Sequence, residues 1–73
     1  MELRFTQHAL WRIDVRQISV ADVEEAITSP DKITEDAAAF RYDKTLSEGI
    51  LRVVVSKTVP DPPLVVTVMW LRA

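Results

Sequence analysis

Apolar residues recur at helical spacing in the first third of the chain and at spacing two from about Ala38 onward. Thr6 is placed to cap a helix starting at Gln7, because its hydroxyl can accept an N–H of the open first turn. At 100° per residue, Ala9, Leu10 and Ile13 share one face and are expected to form its core stripe. His8, Arg12 and Arg16 follow at i, i+4 and i+8 on a second face, and Trp11 with Val15 makes a third strip beside it. Gln17 and Ile18 turn the chain. Ser19-x-x-Asp22 then reads as a capping box for a helix over about Val20 to Ser29, with Val20, Val23, Ala26 and Ile27 on one side. Pro30 ends that helix, since the residue before a proline avoids helical geometry. Lys32-Ile33-Thr34 fits a short strand or a linker.

The period then becomes two. Phe40 and Tyr42 alternate with Arg41 and Asp43, and the chain's one glycine, Gly49, marks a hairpin into Ile50–Thr58. Leu51, Val53 and Val55 form the core side of that strand. Val59 to Pro63 holds three prolines and is expected to be a loop, after which Leu64 to Leu71, apolar on both faces, suits a central strand. With a brief strand before Thr6 the order is β-α-α-β-β-β: an α+β domain over residues 1–73, two N-terminal helices packed on one face of an antiparallel sheet. Alternation assigns Arg41, Arg52 and Thr67 to the sheet's open face, together with Ile50, Val54, Val65, Met69 and Leu71. That is more apolar surface than a small monomer usually leaves wet, so a homodimer or a protein partner is expected to cover it.

Seventy-three residues allow one domain. The chain has no cysteine and one histidine, which excludes disulfides, thiolate metal sites and histidine clusters, so no metal or cofactor is expected. No apolar run reaches bilayer-spanning length and the N-terminal residues show no apolar signal-like run, so a cytoplasmic protein without membrane contact is expected. The net charge of −2 by itself argues against nucleic acid, but the charge is uneven. Residues 19–36 carry Asp22, Glu24, Glu25, Asp31, Glu35 and Asp36 against Lys32, and the rest of the chain is net basic. A modest basic face is therefore compatible with the composition, as is a solvated acidic helix with scattered arginines.

Phe5-Thr6-x-His8-Ala9-x-x-Arg12, followed by Arg16-x-Ile18-Ser19-x-x-Asp22-Val23, resembles the opening of a family of small bacterial proteins described only as a domain of unknown function, number 4258. Val65-Val66-Thr67-Val68 resembles its closing strand. The resemblance implies the fold of the RelE-type and BrnT-type toxins, ribonucleases of toxin–antitoxin pairs, and with it RNA or a cognate antitoxin as partner. The chain departs from such toxins in being acidic and in ending directly after its last strand.

Metal-free RNA cleavage needs a base for the 2′-hydroxyl, an acid for the leaving oxygen and positive charge around the phosphate. His8 is the one side chain that titrates near neutrality unaided, so His8 and Arg12 are the candidate catalytic pair. Arg16, Arg41, Arg52 and Thr67 are the candidate substrate-binding residues. No acid suggests itself, because Tyr42 is expected to face the core. Each residue also has an ordinary structural role open to it: His8 bridging backbone, Arg41 and Arg52 pairing with Asp43 or Glu48, Trp11 and Val15 forming core or an interface. Two functions follow as expectations: a toxin-like RNA-binding protein or metal-independent ribonuclease, or a non-catalytic protein-interaction module with the same fold.

Overall fold

The computed structural model describes residues 1–58 and 61–71. The elements are β1 (Arg4–Phe5), α1 (Gln7–Val15), α2 (Val20–Thr28), β2 (Lys32–Glu35), β3 (Ala39–Leu46), β4 (Gly49–Ser56) and β5 (Leu64–Leu71). They form an α+β fold around one five-stranded sheet of order β1-β5-β4-β3-β2. Two features extend the expected pattern. Lys32–Glu35 is a strand, added antiparallel to β3 at one edge. At the other edge β1 runs parallel to β5, with Arg4 opposite Leu64 and Phe5 opposite Val65, so the sheet is mixed rather than antiparallel throughout. A two-residue strand carries no periodicity from which its direction could be read. Val59 and Pro60 of the expected proline-rich loop lie outside the described residues.

Both helices start as their caps dictate. Thr6 Oγ1 accepts from the Ala9 N–H and Ser19 Oγ from the Asp22 N–H, each at 3.0 Å. The end of α1 was not marked by a glycine. Gln17 nevertheless adopts φ 54°, and the Ile18 and Gln17 N–H groups donate back to the Ile13 and Asp14 carbonyls at 2.9 and 3.3 Å. This paired closure brings Ile18, which is buried, back towards Ile13. Gln17→Gly should remove the left-handed strain and raise stability by about 0.5–1 kcal/mol in a denaturant titration.

The core joins Ala9, Ile18, Val23 and Ala26 from the helical half to Leu51, Val53, Val55, Val65 and Val68 of the sheet. The helices divide the work: α2 lies against β4 and β3, whereas α1 lies against β5 and β1 at the end of the sheet. Only a narrow arc of α1 is therefore buried. Ala9 is fully buried, but Leu10, expected in the core stripe, is 50% exposed.

The β3–β4 hairpin turns at Ser47-Glu48 with Leu46 opposite Gly49. Gly49 sits at φ +142°, a conformation that side-chain-bearing residues avoid. The register sets three strands in rows on the face away from α2: Arg41–Val54–Thr67, then Asp43–Arg52–Met69, then Thr45–Ile50–Leu71. Arg41, Arg52 and Thr67 thus occupy the face that alternation assigned them. Val65 does not. The β4–β5 register shifts between Val54 and Val55, so Val54 faces Thr67 while Val55 faces Val65, and Val66 is the extra residue of a bulge. The bulge turns Val65 into the core beside Val68, and both are fully buried.

Candidate functional site

The Thr6–Arg12 segment is stitched to the outer edge of β5 residue by residue. The Thr6 N–H donates to the Val65 carbonyl at 3.0 Å, and its hydroxyl donates to the Val66 carbonyl at 2.8 Å. Successive carbonyls of a regular strand point to opposite edges. Here the bulge lets both meet Thr6. Two residues further, His8 Nε2 and Thr67 Oγ1 share a hydrogen bond of 3.0 Å whose direction is set by the imidazole tautomer. One turn on, Arg12 Nε donates to the Val68 carbonyl at 3.0 Å. A β-sheet edge would otherwise present unpaired carbonyls to water or to another chain. Thr6, His8 and Arg12 therefore form a clamp that fixes α1 on that edge.

The clamp brings together three of the six residues singled out from the sequence: His8, Arg12 and Thr67. His8 remains exposed, and its ring lies 6.2 Å from that of Trp11, centroid to centroid, with the planes tilted by 34°. Trp11 is 57% exposed and Val15 49%. Arg16, the helix C-cap, is exposed one turn beyond Arg12. Neither Arg12 nor Arg16 has a carboxylate within ion-pair distance among the described residues.

Arg41 and Arg52 are held elsewhere. Arg41 shares a row with Thr67 but lies two strands away, a separation of about 10 Å. Its guanidinium pairs with Asp36 at 2.7 Å. Arg52 grips Asp43 with two parallel hydrogen bonds of 2.8 and 2.9 Å, a fork-to-fork geometry across adjacent strands. Both cations face carboxylates instead of the His8 cluster. Tyr42 lies across the sheet from that cluster: it pairs with Val53 and packs against the core.

These pairs set the acid response. The Asp36 carboxyl is lowered to about 2, first by the Ala38 N–H and then by Arg41. Arg52 lowers the Asp43 carboxyl, and the Thr45 N–H lowers that of Asp31. Unfolded aspartate titrates near 3.9, so the folded values lie below the unfolded one. The stabilisation is complete above about pH 4 and is lost as pH falls towards 2. Melting temperature should be level from pH 7 to 5 and drop below 4. Asp36→Asn should make that drop shallower.

The chain matches the family described as Domain of unknown function (DUF4258) over residues 5–70, and it belongs to that family. No curated protein and no solved structure matches it. The matched span takes in α1 and all of β5 except Leu71, and so contains Thr6, His8, Arg12 and Thr67.

Proposed function

We propose that the outer face of α1 with the adjoining β5 edge is an RNA-binding surface of the RelE-like, toxin-related kind. The observation that carries this reading is the separation of the cations. Arg41 and Arg52 are matched by carboxylates, whereas Arg12 and Arg16 stand one turn apart without one among the described residues, beside an exposed histidine and an exposed tryptophan. Unpaired guanidinium groups interleaved with an aromatic ring suit a phosphodiester chain with accessible bases. The acid of α2, including Asp22, Glu24 and Glu25, disfavours a phosphate chain along that helix.

In this reading Arg12 has two roles. Its Nε holds the edge, while the rest of the guanidinium carries the charge. Arg16 is the cleaner probe, since no side-chain partner among the described residues holds it. A single strand contacting two arginines should show a log–log salt slope of about −1.4, and Arg16→Glu should reduce it to about −0.7. Fluorescence anisotropy with a labelled single-stranded RNA measures both, beside a thermal melt that Arg16→Glu leaves unchanged. Absence of binding by wild type at low salt would end the proposal.

Cleavage would add His8 as base for a 2′-hydroxyl, with no carboxylate within ion-pair distance of it among the described residues, so incubating the same RNA with wild type and His8→Ala reports on that step separately. The alternative protein-binding module draws on one observation, the exposure of Leu10, Trp11 and Val15 along one helix. It predicts concentration-dependent sedimentation, or capture of an antitoxin-like partner, that Trp11→Ala removes.

A further inference from the structure

We propose that Trp11 is a stacking platform for an unpaired base, so that the ligand class is single-stranded RNA as distinct from duplex. The inference rests on the RNA-binding reading above and adds what the bases do. An indole 57% exposed, on a helix anchored through Thr6, His8 and Arg12, is not needed for the core. Leu10 and Val15 flank it, but what sets Trp11 apart is its neighbour. The His8 ring is 6.2 Å away and shares a hydrogen bond of 3.0 Å with Thr67. The two rings are tilted by 34°, forming a shallow aromatic corner.

Projected down α1 at 100° per residue, Trp11, His8, Arg12 and Arg16 follow one another around an arc of about 140°. A base on the indole therefore has His8 beside it and, in line beyond, two guanidiniums with no carboxylate partner among the described residues, where its flanking phosphates fall. Charge complementarity supplies the second leg of the argument. Phosphates meet cations here, and would meet Asp22, Glu24 and Glu25 on α2. Stacking works with every base because each has a π-face, whereas the bases of a duplex are covered by their neighbours. Base discrimination is not expected; strand-state discrimination is.

The test titrates wild type and Trp11→Ala with three eight-nucleotide probes: single-stranded RNA, the same sequence as a duplex, and an abasic strand carrying the same phosphates. The single strand should quench tryptophan emission in wild type, and the quenching should vanish in Trp11→Phe if the variant's remaining Trp70 is silent. Trp11→Ala should weaken the single strand by about 5- to 150-fold, the span of one stacked base, while leaving the salt slope unchanged. The duplex and the abasic strand should bind wild type no better than the single strand binds Trp11→Ala. Equal affinity for all three probes, with less than a twofold effect of Trp11→Ala, would overturn the stacking role and leave backbone binding standing. Failure of wild type to bind any probe would remove both readings. An emission change that follows protein concentration without RNA would assign Trp11 to self-association and overturn the proposal. Thermal melts of both variants should match wild type, since the indole is outside the core.

Discussion

Asp43→Ala should destabilise the fold by about 2–3 kcal/mol, with most of the loss coming from the partner left behind. Asp43 is 6% exposed, and its two oxygens are taken by Arg52 Nε and an Arg52 terminal nitrogen. Removing the carboxylate strands a half-buried guanidinium in the middle of the sheet, and unpaired buried charge is costly. The Arg52 side chain keeps 26% exposure, so water recovers part of that cost and the value falls below that of a fully buried pair. Asp43→Asn, which retains one acceptor, should lose less. Changing both residues to valine should recover most of the stability, since paired apolar replacements avoid the orphaned charge. The face would then run Ile50, Val54, Met69 and Leu71 around two further valines, and the double variant should associate at high concentration. Urea titrations give the energies and sedimentation gives the association state. A loss below about 0.5 kcal/mol for Asp43→Ala would show the pair to be an ordinary surface contact.

Leu51→Ala should cost about 3 kcal/mol or more. Leu51 is one of the largest fully buried side chains, and it sits in register between Lys44 on β3 and Trp70 on β5. Large-to-small changes lose the transferred apolar surface and add the cavity that neighbours fail to refill. Collapse is restricted here. Lys44 is pinned by donating to the Ser29 carbonyl at 2.8 Å and by Glu25 at 3.6 Å, at the C-terminal end of α2. Trp70 is held on the last strand against the core. A domain of this size is expected to have about 4–11 kcal/mol in total, so the variant should be partly unfolded near 37 °C. A melt within a few degrees of wild type would mean that β5 and α2 close over the gap. Leu51→Ala is also a control for the functional experiments: it should lower RNA binding only as far as it unfolds the chain, whereas Arg16→Glu and Trp11→Ala act on a folded one.

Local physics, and therefore the sequence, determined the helix starts, the two periods and the face of the sheet on which Arg41, Arg52 and Thr67 stand. Thr6 and Ser19 cap α1 and α2 because a hydroxyl three residues before an open N–H closes it whatever surrounds it. Alternation put Arg41, Arg52 and Thr67 on one side of the sheet, and the short Ser47-Glu48 turn made Asp43 the cross-strand neighbour of Arg52. The joint position of His8 and Arg12 on α1 likewise followed from helical spacing alone. Tertiary structure decided the rest. Leu10 lies outside because α1 docks at the end of the sheet, where one strand edge buries a narrower arc than a full sheet face would. Val65 lies inside because of a bulge that adjacent valines, equally at home on either face, do not announce. Arg41 finds Asp36 through a turn in which Asp36 also accepts from Ala38 and Ala39, so the partner was set by backbone geometry beyond the strand pattern. The meeting of His8 with Thr67, 59 residues apart, depended on the parallel seating of β1 on β5 and on the bulge together. Spacing along a helix fixes which side chains share a face; only packing against a distant strand decides what that face meets.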